Sequence, residues 1–315
     1  MHDSWITRRH RELLSLRQPG PGWGNRPGGQ PYVEPTALAA LALAASDPEP
    51  GNAARQSRAA VATAARWLVD MQQSDGALGI SADLTKPRWT TPLAILAWSA
   101  AGGAAEHGRK AVAWLLSQRG DTGVPAEATP YGHDARIPGW PWVEGTHSWL
   151  EPTAMAVLAL RRAGLSHDER TLDGMRLIRD RAIRTGGWNY GNSTVFGSDL
   201  RPQPAPTGLA LLALAGAEES DSLLIERGCD YLEQILPTTR APLSLCFGTL
   251  ALTAWGRRPH EADDCLIEAH SSAARRSNSV SQLAYLLLAA GSRTLTLLGV
   301  VDDSHSAPQV KKSDS

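Results

Sequence analysis

The segment from residue 139 to residue 160 reads GWPWVEGTHSWLEPTAMAVLAL and shows how the whole chain is built. A loop rich in Trp and Gly runs into Glu151-Pro152-Thr153, after which the sequence is almost entirely apolar for the length of a short helix. Proline is tolerated in the first turn of a helix because its missing N–H has no intrahelical partner there. A carboxylate at the same end is favoured by the helix dipole. The segment therefore predicts a loop, an acidic helix start and a buried helix.

Copies of the apolar part of this segment recur along the chain. The clear copies are PTALAALALAA, TTPLAILAWSAAG, PTAMAVLALRRAG and PTGLALLALAGA, which occupy residues 35–45, 90–102, 152–164 and 206–217. Two weaker copies follow at 242–256 and 279–291. Most copies begin beside Pro or Thr and end at Gly, so the start and stop signals agree on helices of about three turns. Because Ala and Leu cover nearly all their sides, these segments are predicted to be buried helices.

More polar segments separate the buried ones. In SRAAVATAARWLVDMQQ (57–73) the side chains of Val61, Leu68 and Met71 share one helical face, and the charged residues lie elsewhere. Comparable segments are 3–17, 106–118, 167–184, 220–236 and 260–275. Six amphipathic helices that alternate with six buried ones predict an all-α (α/α)6 toroid, in which the buried helices form the inner wall. An open helical solenoid is the alternative, because six pairs alone do not require closure.

Outer helices end in Gln or a small residue followed by Gly, often with an aromatic residue, as in LRQPGPGWGN (16–25) and RTGGWNYGN (184–192). Glycine supplies the left-handed backbone that ends a helix. A turn of this kind, followed by an inner helix that starts Pro-Thr-Ala, resembles the prenyltransferase/squalene-oxidase repeat of squalene–hopene cyclases, other terpene cyclases and protein prenyltransferase β subunits. The resemblance spans roughly residues 3–291 and implies a single toroid domain over 1–291. Residues 292–315 are polar and are predicted to form a largely disordered tail.

Two inner helices carry a glutamate where the resemblance places an acid. Cyclases of the squalene–hopene type have an Asp-x-Asp-Asp-Thr-Ala motif at an inner-helix start, whose carboxylic acid protonates an alkene. This motif aligns with YVEPTA (32–37) and WLEPTA (149–154), so that Glu34 and Glu151 match its central acid, while Tyr or Trp and Pro replace the flanking acids. The resemblance implies that Glu34 and Glu151 are catalytic, as proton donor or base. The alternative is that they only complement the helix dipole or bind N–H groups of a neighbouring loop.

Aromatic and polar residues near these acids are predicted to contact a substrate. Trp is useful beside a carbocation because its ring face attracts positive charge. The loop over 119–149 is long for a compact domain, which favours a functional role, and residues 186–207 have the same loop-to-helix character. The predicted substrate-binding residues are Tyr32, Trp140, Trp142, His147, Trp149, Trp188 and Tyr190. The alternative is that these side chains only pack the loops against the ring.

Composition excludes several classes of function. The 31 basic and 32 acidic residues give a net charge of −1, so nucleic acid is not expected as a partner. Three cysteines without CxxC spacing favour a reducing compartment. No signal peptide and no run of about 20 apolar residues is recognisable, so a membrane span is not expected. The sequence predicts a cytoplasmic protein, for which peripheral membrane contact stays open.

No metal or other cofactor is predicted. The zinc ligands of protein prenyltransferases, an Asp-x-Cys pair and a His, are not matched at residues 244–246 and 279–282. A second possible metal cluster lies in HEADDCLIEAH (260–270). Its acidic residues have the usual pattern of a first helical turn, in which carboxylates compensate the helix dipole.

The leading hypothesis is a terpenoid-cyclase-like protein with an apolar central cavity, which cyclises or isomerises an isoprenoid or similar lipid by acid–base chemistry. The second hypothesis is a non-catalytic lipid-binding or protein-interaction scaffold that reuses the toroid, favoured by the missing Asp-rich and zinc motifs. The third is a carbohydrate-active toroid, which requires paired carboxylates in an open polar groove rather than in an enclosed apolar cavity.

Overall fold

The computed structural model describes residues 2–17, 20–46, 51–122, 132–217, 222–274 and 279–300. The α-helices in these ranges are α1 (His2–Ser15), α2 (Val33–Ala44), α3 (Asn52–Asp70), α4 (Thr91–Ala101), α5 (Ala105–Ser117), α6 (Leu150–Arg162), α7 (Glu169–Asp180), α8 (Pro204–Leu214), α9 (Ser222–Ile235), α10 (Pro242–Ala254), α11 (Ala262–Ala274), α12 (Val280–Ala290) and α13 (Thr294–Leu297). A small hairpin of β1 (Thr194–Val195) and β2 (Ser198–Asp199) and a 3-10 turn (Leu236–Thr238) complete the described elements. The predicted all-α class is confirmed.

The even-numbered helices α2 to α12 form a closed inner ring. Each packs against the next, and α12 returns to pack against α2. The odd-numbered helices α1 to α11 lie outside this ring, and α3, α7, α9 and α11 each pack against both neighbouring inner helices. This is the predicted (α/α)6 toroid, and the contact between α12 and α2 excludes the open solenoid.

The inner and outer helices differ in burial because their sequences differ in pattern. Every residue of α8 from Ala205 to Leu214 is buried, and α2 is buried along most of its length. The outer helix α3 instead buries one face, which includes Val61, Ala64 and Leu68. Fully burying a Leu or Val side chain contributes about 1.5–3 kcal/mol, so the apolar inner helices supply most of the core.

A threonine near the start of four inner helices clamps the loop that precedes it. The Oγ1 of Thr36 accepts a hydrogen bond from the backbone N–H of Trp23 at 2.9 Å and donates to the carbonyl of Trp23 at 3.2 Å. The same two bonds join Thr153 to Trp140 and Thr207 to Trp188. Thr91 likewise accepts from the N–H of Leu78 at 3.0 Å, but its hydroxyl donates over the shorter distance, 2.9 Å, to the carbonyl of Arg88. We call each such pair a threonine clamp.

The tryptophans in these clamps also bind the preceding outer helix. The indole N–H donates to an outer-helix carbonyl in three repeats: Trp23 to Leu13, Trp140 to Leu115 and Trp188 to Ile178, at 2.8, 2.8 and 2.7 Å. A buried N–H without a partner would be destabilising, so this bond lets a large ring fill the gap between helices. Each of these repeats is therefore tied together across its outer helix, its loop and its inner helix.

The inner helices all begin at one end of the ring, which we call the loop end. Backbone bonds join the start of one inner helix to the loop before another: Val33 N–H to Ile80 O at 2.9 Å, Leu150 N–H to Tyr190 O at 3.1 Å and Val280 N–H to Asn25 O at 3.4 Å. The helix C-termini gather at the opposite end, where Arg161 donates to the carbonyl of Ala213 at 3.1 Å. The positive ends of the inner-helix dipoles consequently share the loop end.

The predicted boundary of the tail at residue 292 is too early. Residues 294–297 form α13, which packs against α2, α4 and α10. Leu297, Leu298 and Val300 are buried, because these apolar residues cover the C-terminal end of the ring. The rest of the predicted tail, residues 301–315, lies outside the described residues.

We expect Thr207→Val to lower the free energy of unfolding by about 1–3 kcal/mol, because it leaves the backbone N–H of Trp188 buried and unpaired. The matched control is Thr171→Val on α7: Thr171 is also fully buried, but its Oγ1 has no hydrogen-bond partner among the described residues. That change is expected to be neutral or stabilising. Urea unfolding compares the two, and equal losses of stability would contradict the role of the clamp.

Candidate functional site

The centre of the ring encloses a cavity of about 260 Å³. Most of its wall is aliphatic, with Leu38, Leu93, Met155, Leu250 and Leu288 contributed by five inner helices. Leu298, which follows α13, closes it towards the C-terminal end of the ring. The cavity is therefore the apolar central space that the sequence analysis predicted.

Glu34 and Glu151 both line this cavity. Each lies in the first turn of its inner helix, two residues before the clamping threonine. At the same register before Thr91 the chain has Trp89, which lines the cavity too. The threonine clamps therefore position three functional candidates by one repeated geometry.

Burial raises the pKa of both carboxyl groups. The pKa of Glu151 rises to about 7, chiefly because burial disfavours the carboxylate and secondly because the charge of Glu34 lies nearby. Burial also raises the pKa of Glu34, and a hydrogen bond with Tyr285 works against that rise. At neutral pH the Glu151 carboxyl is thus divided between its acid and its carboxylate, a state suited to proton transfer.

Tyr285 is a residue of the site that sequence reasoning missed. It lies on α12, lines the cavity and hydrogen-bonds to Glu34. Burial raises the pKa of its phenol well above the ordinary value, so Tyr285 stays protonated and donates to Glu34. Its ring meets the ring of Phe247 edge to face, with centroids 5.9 Å apart. The only aromatic residue in the copy SVSQLAYLLLAAG was the available signal, but that copy is one of the two weak ones.

Two tryptophans from different loops cover the cavity at the loop end. Trp89 and Trp142 line it, and their rings meet edge to face with centroids 5.1 Å apart. Beside them Arg88 pairs with Glu144 of the second loop and with Asp75. The predicted contact residue Trp142 is thus at the cavity, and Trp89 is a second aromatic that sequence reasoning missed.

Two other predicted substrate-binding residues are packed between inner and outer helices and do not line the cavity. Trp140 and Trp188 are buried by the helices around them, and their indole N–H groups bind outer-helix carbonyls. The guanidinium of Arg170 lies over the Trp140 ring, 4.3 Å from its centroid. The reason for the difference is the threonine clamp, which turns these side chains towards the outer helices rather than the ring centre.

The remaining predicted contacts lie at the loop end, outside the cavity wall. Trp149 and Tyr190 are 39% and 49% exposed, and the Trp149 ring lies against Gly191. His147 is exposed, with Nδ1 3.2 Å from the carbonyl oxygen of Asp121. Tyr32 is half-buried and precedes α2 as its N-cap residue. The structure therefore brings Glu34, Glu151 and Trp142 together in one cavity and leaves these four side chains at the loop end, outside its lining.

Across the described residues, no group of three or more His, Cys, Asp and Glu side chains could hold a metal ion. In the acidic cluster, Asp263 and Asp264 lie in the first turn of α11, where Asp263 pairs with Arg258. His270 lies on the same helix but contacts Arg9 and Glu12 of α1. Cys229, Cys246 and Cys265 are free and buried.

The cytoplasmic location stays a prediction.

Comparison with solved structures finds the same fold in terpene cyclases. A variant of the type II terpene cyclase MstE from Scytonema, bound to geranylgeranyl dihydroxybenzoate, superimposes with a TM-score of 0.60 at 14% identity and covers 95% of this chain and 97% of its own. A protein from Actinoplanes matches with a TM-score of 0.59 at 18% identity, covering 93% and 99%. No family model and no curated protein matches the sequence. This chain thus has a terpene-cyclase-like fold.

The same ring also occurs in a protein of another kind. Salmonella alpha-2-macroglobulin reacted with methylamine matches with a TM-score of 0.54 at 16% identity, over 90% of this chain and 17% of that much longer one. Because one fold hosts unrelated functions, the ring alone does not define a function.

The raised pKa of Glu151 predicts a pH-dependent stability. Between its ordinary value of 4.5 and about 7, the folded chain binds more protons than the unfolded chain, so stability falls as pH rises through this window. We expect Glu151→Gln to remove roughly 3 kcal/mol of this fall, as a shift of about 2.5 pKa units implies. Denaturant unfolding at a series of pH values measures it.

The control for this prediction is Glu106→Gln, which removes an exposed carboxyl on α5. It should leave the pH dependence of wild type nearly unchanged. If Glu151→Gln and wild type lose stability in parallel as pH rises from 4.5 to 7, the Glu151 carboxyl is not desolvated as described.

Proposed function

We propose that this chain binds an isoprenoid or similar apolar ligand in its central cavity and isomerises or cyclises it by proton transfer. The observation that carries the proposal is the placement of Glu34 and Glu151 in one apolar cavity, with the pKa of Glu151 at about 7. Strongly perturbed acids in an enclosed cavity mark candidate catalytic groups. Cyclases of this fold are seen with geranylgeranyl dihydroxybenzoate and with merosterolic acid A, which supports the ligand class.

The size of the cavity favours a compact ligand. Pockets for drug-sized molecules span about 300–1,000 Å³, and this one has about 260 Å³. A short isoprenoid, or the reacting end of a longer one that extends past Trp89 and Trp142, fits this space.

The two carboxyls can act as a proton donor and a proton acceptor. In an isomerisation, the acid form of one adds a proton to an alkene carbon, and the carboxylate of the other removes a proton from a neighbouring carbon. The ligand then gains and loses one proton, and no oxidant or cofactor enters the balance. Glu151 suits either step near pH 7, while the Tyr285 hydroxyl holds Glu34 in place and stabilises its carboxylate.

The aromatic rings around the cavity suit a positively charged intermediate. Trp89, Trp142, Phe247 and Tyr285 line it, and ring faces attract a cation more strongly when water is excluded. Aliphatic walls add no nucleophile that would trap the cation. Cys246 is also in the wall, but burial raises the pKa of its thiol so far that it remains protonated.

The enclosed apolar cavity counts against a carbohydrate substrate, which needs an open polar groove. The non-catalytic carrier remains distinct from the proposed enzyme, since a carrier would bind the ligand and return it unchanged.

The test is incubation of the purified chain with a panel of short and long prenyl compounds, followed by mass spectrometric analysis of bound ligand and product. We expect conversion of a ligand that binds with about one molecule per chain, and a rate that changes with an apparent pKa near 7. Glu151→Gln should keep ligand binding and reduce turnover by about 10²–10⁴-fold, as loss of a general acid or base does.

Two variants serve as controls. Glu106→Gln, far from the cavity on α5, should have wild-type turnover. Leu243→Trp adds bulk at a half-buried position in the cavity wall and should reduce binding and turnover together. Binding without conversion by wild type would establish the carrier instead, and a cavity that takes no ligand from the panel would refute both.

A further inference from the structure

The hairpin of β1 and β2 presents a phenylalanine to solvent in an unfavourable backbone conformation. Phe196 is 86% exposed, and it has a φ of 49°. Gly197 follows with a φ of 78°, so the two residues between the strands have the positive φ values of a type I′ turn. Asn-Gly is the preferred sequence for such a turn, and a bulky residue with positive φ is an outlier that asks for an explanation.

Other large apolar side chains are exposed at the same end of the molecule. Among the described residues seven large apolar side chains are exposed, and five of them lie at the loop end: Leu84, Val143, Trp149, Tyr190 and Phe196. The other two, Leu172 and Leu223, lie near the starts of the outer helices α7 and α9. The five stand on the loops before α4, α6 and α8, around the end where Trp89 and Trp142 cover the cavity.

Exposed arginines flank the hairpin. Arg184 is 85% exposed and pairs with Asp199 of β2 at 3.0 Å. Arg201 follows the hairpin and is exposed, and Arg227 donates to the carbonyl of Arg184 at 3.2 Å. Aromatic side chains beside basic ones are the pattern found where proteins meet the headgroup region of a bilayer.

We propose that the loop end docks on the surface of a lipid bilayer containing anionic lipids, with Phe196 inserted as its anchor. Trp149 and Tyr190 lie at headgroup depth, and Arg184 and Arg201 face the anionic headgroups. This binding is peripheral, as none of the helices in the described ranges has the length and apolarity for a membrane crossing. The inference goes beyond the proposed chemistry and does not depend on it.

A bilayer fits this surface better than a protein partner does. The apolar groups stand on separate loop tips, and a planar fluid surface can receive all of them without a matching shape. The position also suits an apolar ligand, because the covered end of the cavity would face the lipid phase in which such a ligand dissolves.

Vesicle flotation tests the proposal with phosphatidylcholine vesicles, with and without phosphatidylglycerol. We expect wild type to bind both and to bind the anionic vesicles more tightly. Phe196→Asn should reduce partitioning about tenfold or more on both, as removal of one inserted aromatic side chain implies. Arg201→Gln should weaken binding to the anionic vesicles only.

The same Phe196→Asn variant separates docking from folding. It creates an Asn-Gly turn, so its urea midpoint should equal or exceed that of wild type while its partitioning to vesicles is reduced. Leu223→Asn removes a large apolar side chain that is 52% exposed near the start of the outer helix α9, away from the loop end, and should bind like wild type. Glu151→Gln should also bind like wild type, so failure of the proposed chemistry would leave this result unaffected.

Three outcomes would overturn the proposal. The first is no binding of wild type to either kind of vesicle. The second is undiminished binding by Phe196→Asn, or a lower urea midpoint that assigns Phe196 to the fold. The third is that the chain does not bind vesicles but self-associates in a way that requires Phe196, which would make the hairpin turn a protein–protein contact.

Discussion

The threonine clamp is the interaction on which the rest of the structure depends. One hydroxyl group bonds both the N–H and the carbonyl of a loop residue that lies 13 or more positions earlier, as Thr207 does for Trp188. The loop is thereby held against the start of the inner helix, and the indole of Trp188 ties it to the preceding outer helix. Repetition of this unit holds the starts of α2, α4, α6 and α8 against loops at the same end of the ring. Because each clamp fixes its loop to the start of its own inner helix, these inner helices run parallel and their loops lie at one end of the ring.

The clamp also explains where the candidate chemistry lies. The residue two positions before the clamping threonine is in the first helical turn or just before it, and in three repeats it lines the cavity as Glu34, Trp89 or Glu151. In the fourth repeat this position is Ala205, which is buried in the core. The position two residues before the clamping threonine therefore carries an acidic, an aromatic or a small apolar side chain without any change of fold. Variation at this position can alter the reactivity of the cavity while the clamp preserves the ring.

Much of the fold, and part of the site, could be predicted from the sequence. Periodicity and helix signals predicted the twelve ring helices, and the repeated motif placed Glu34 and Glu151 at equivalent positions. The packing of Trp188 against the outer helix could not be predicted. A tryptophan in such a loop can face either the cavity or the outer helices, and the sequence does not show which carbonyl group its indole N–H will bind. Tyr285 was missed because its partner Glu34 is distant in sequence. The packing of residues 294–300 depends equally on distant contacts, since α13 closes a space that only the complete ring creates.

The energetic cost of the two acids is the strongest reason to assign them a function. Burial of a carboxyl in an apolar cavity disfavours its ionised form, and two carboxyls in one cavity repel each other when both are ionised. Elsewhere the chain pairs its acids with arginines, as Glu144 with Arg88 and Asp173 with Arg170. Within the described ranges, no lysine or arginine forms an ion pair with Glu34 or Glu151. Glutamine at these positions would fill the same space without the repulsion, so packing alone gives no reason for the acids, whereas proton transfer does.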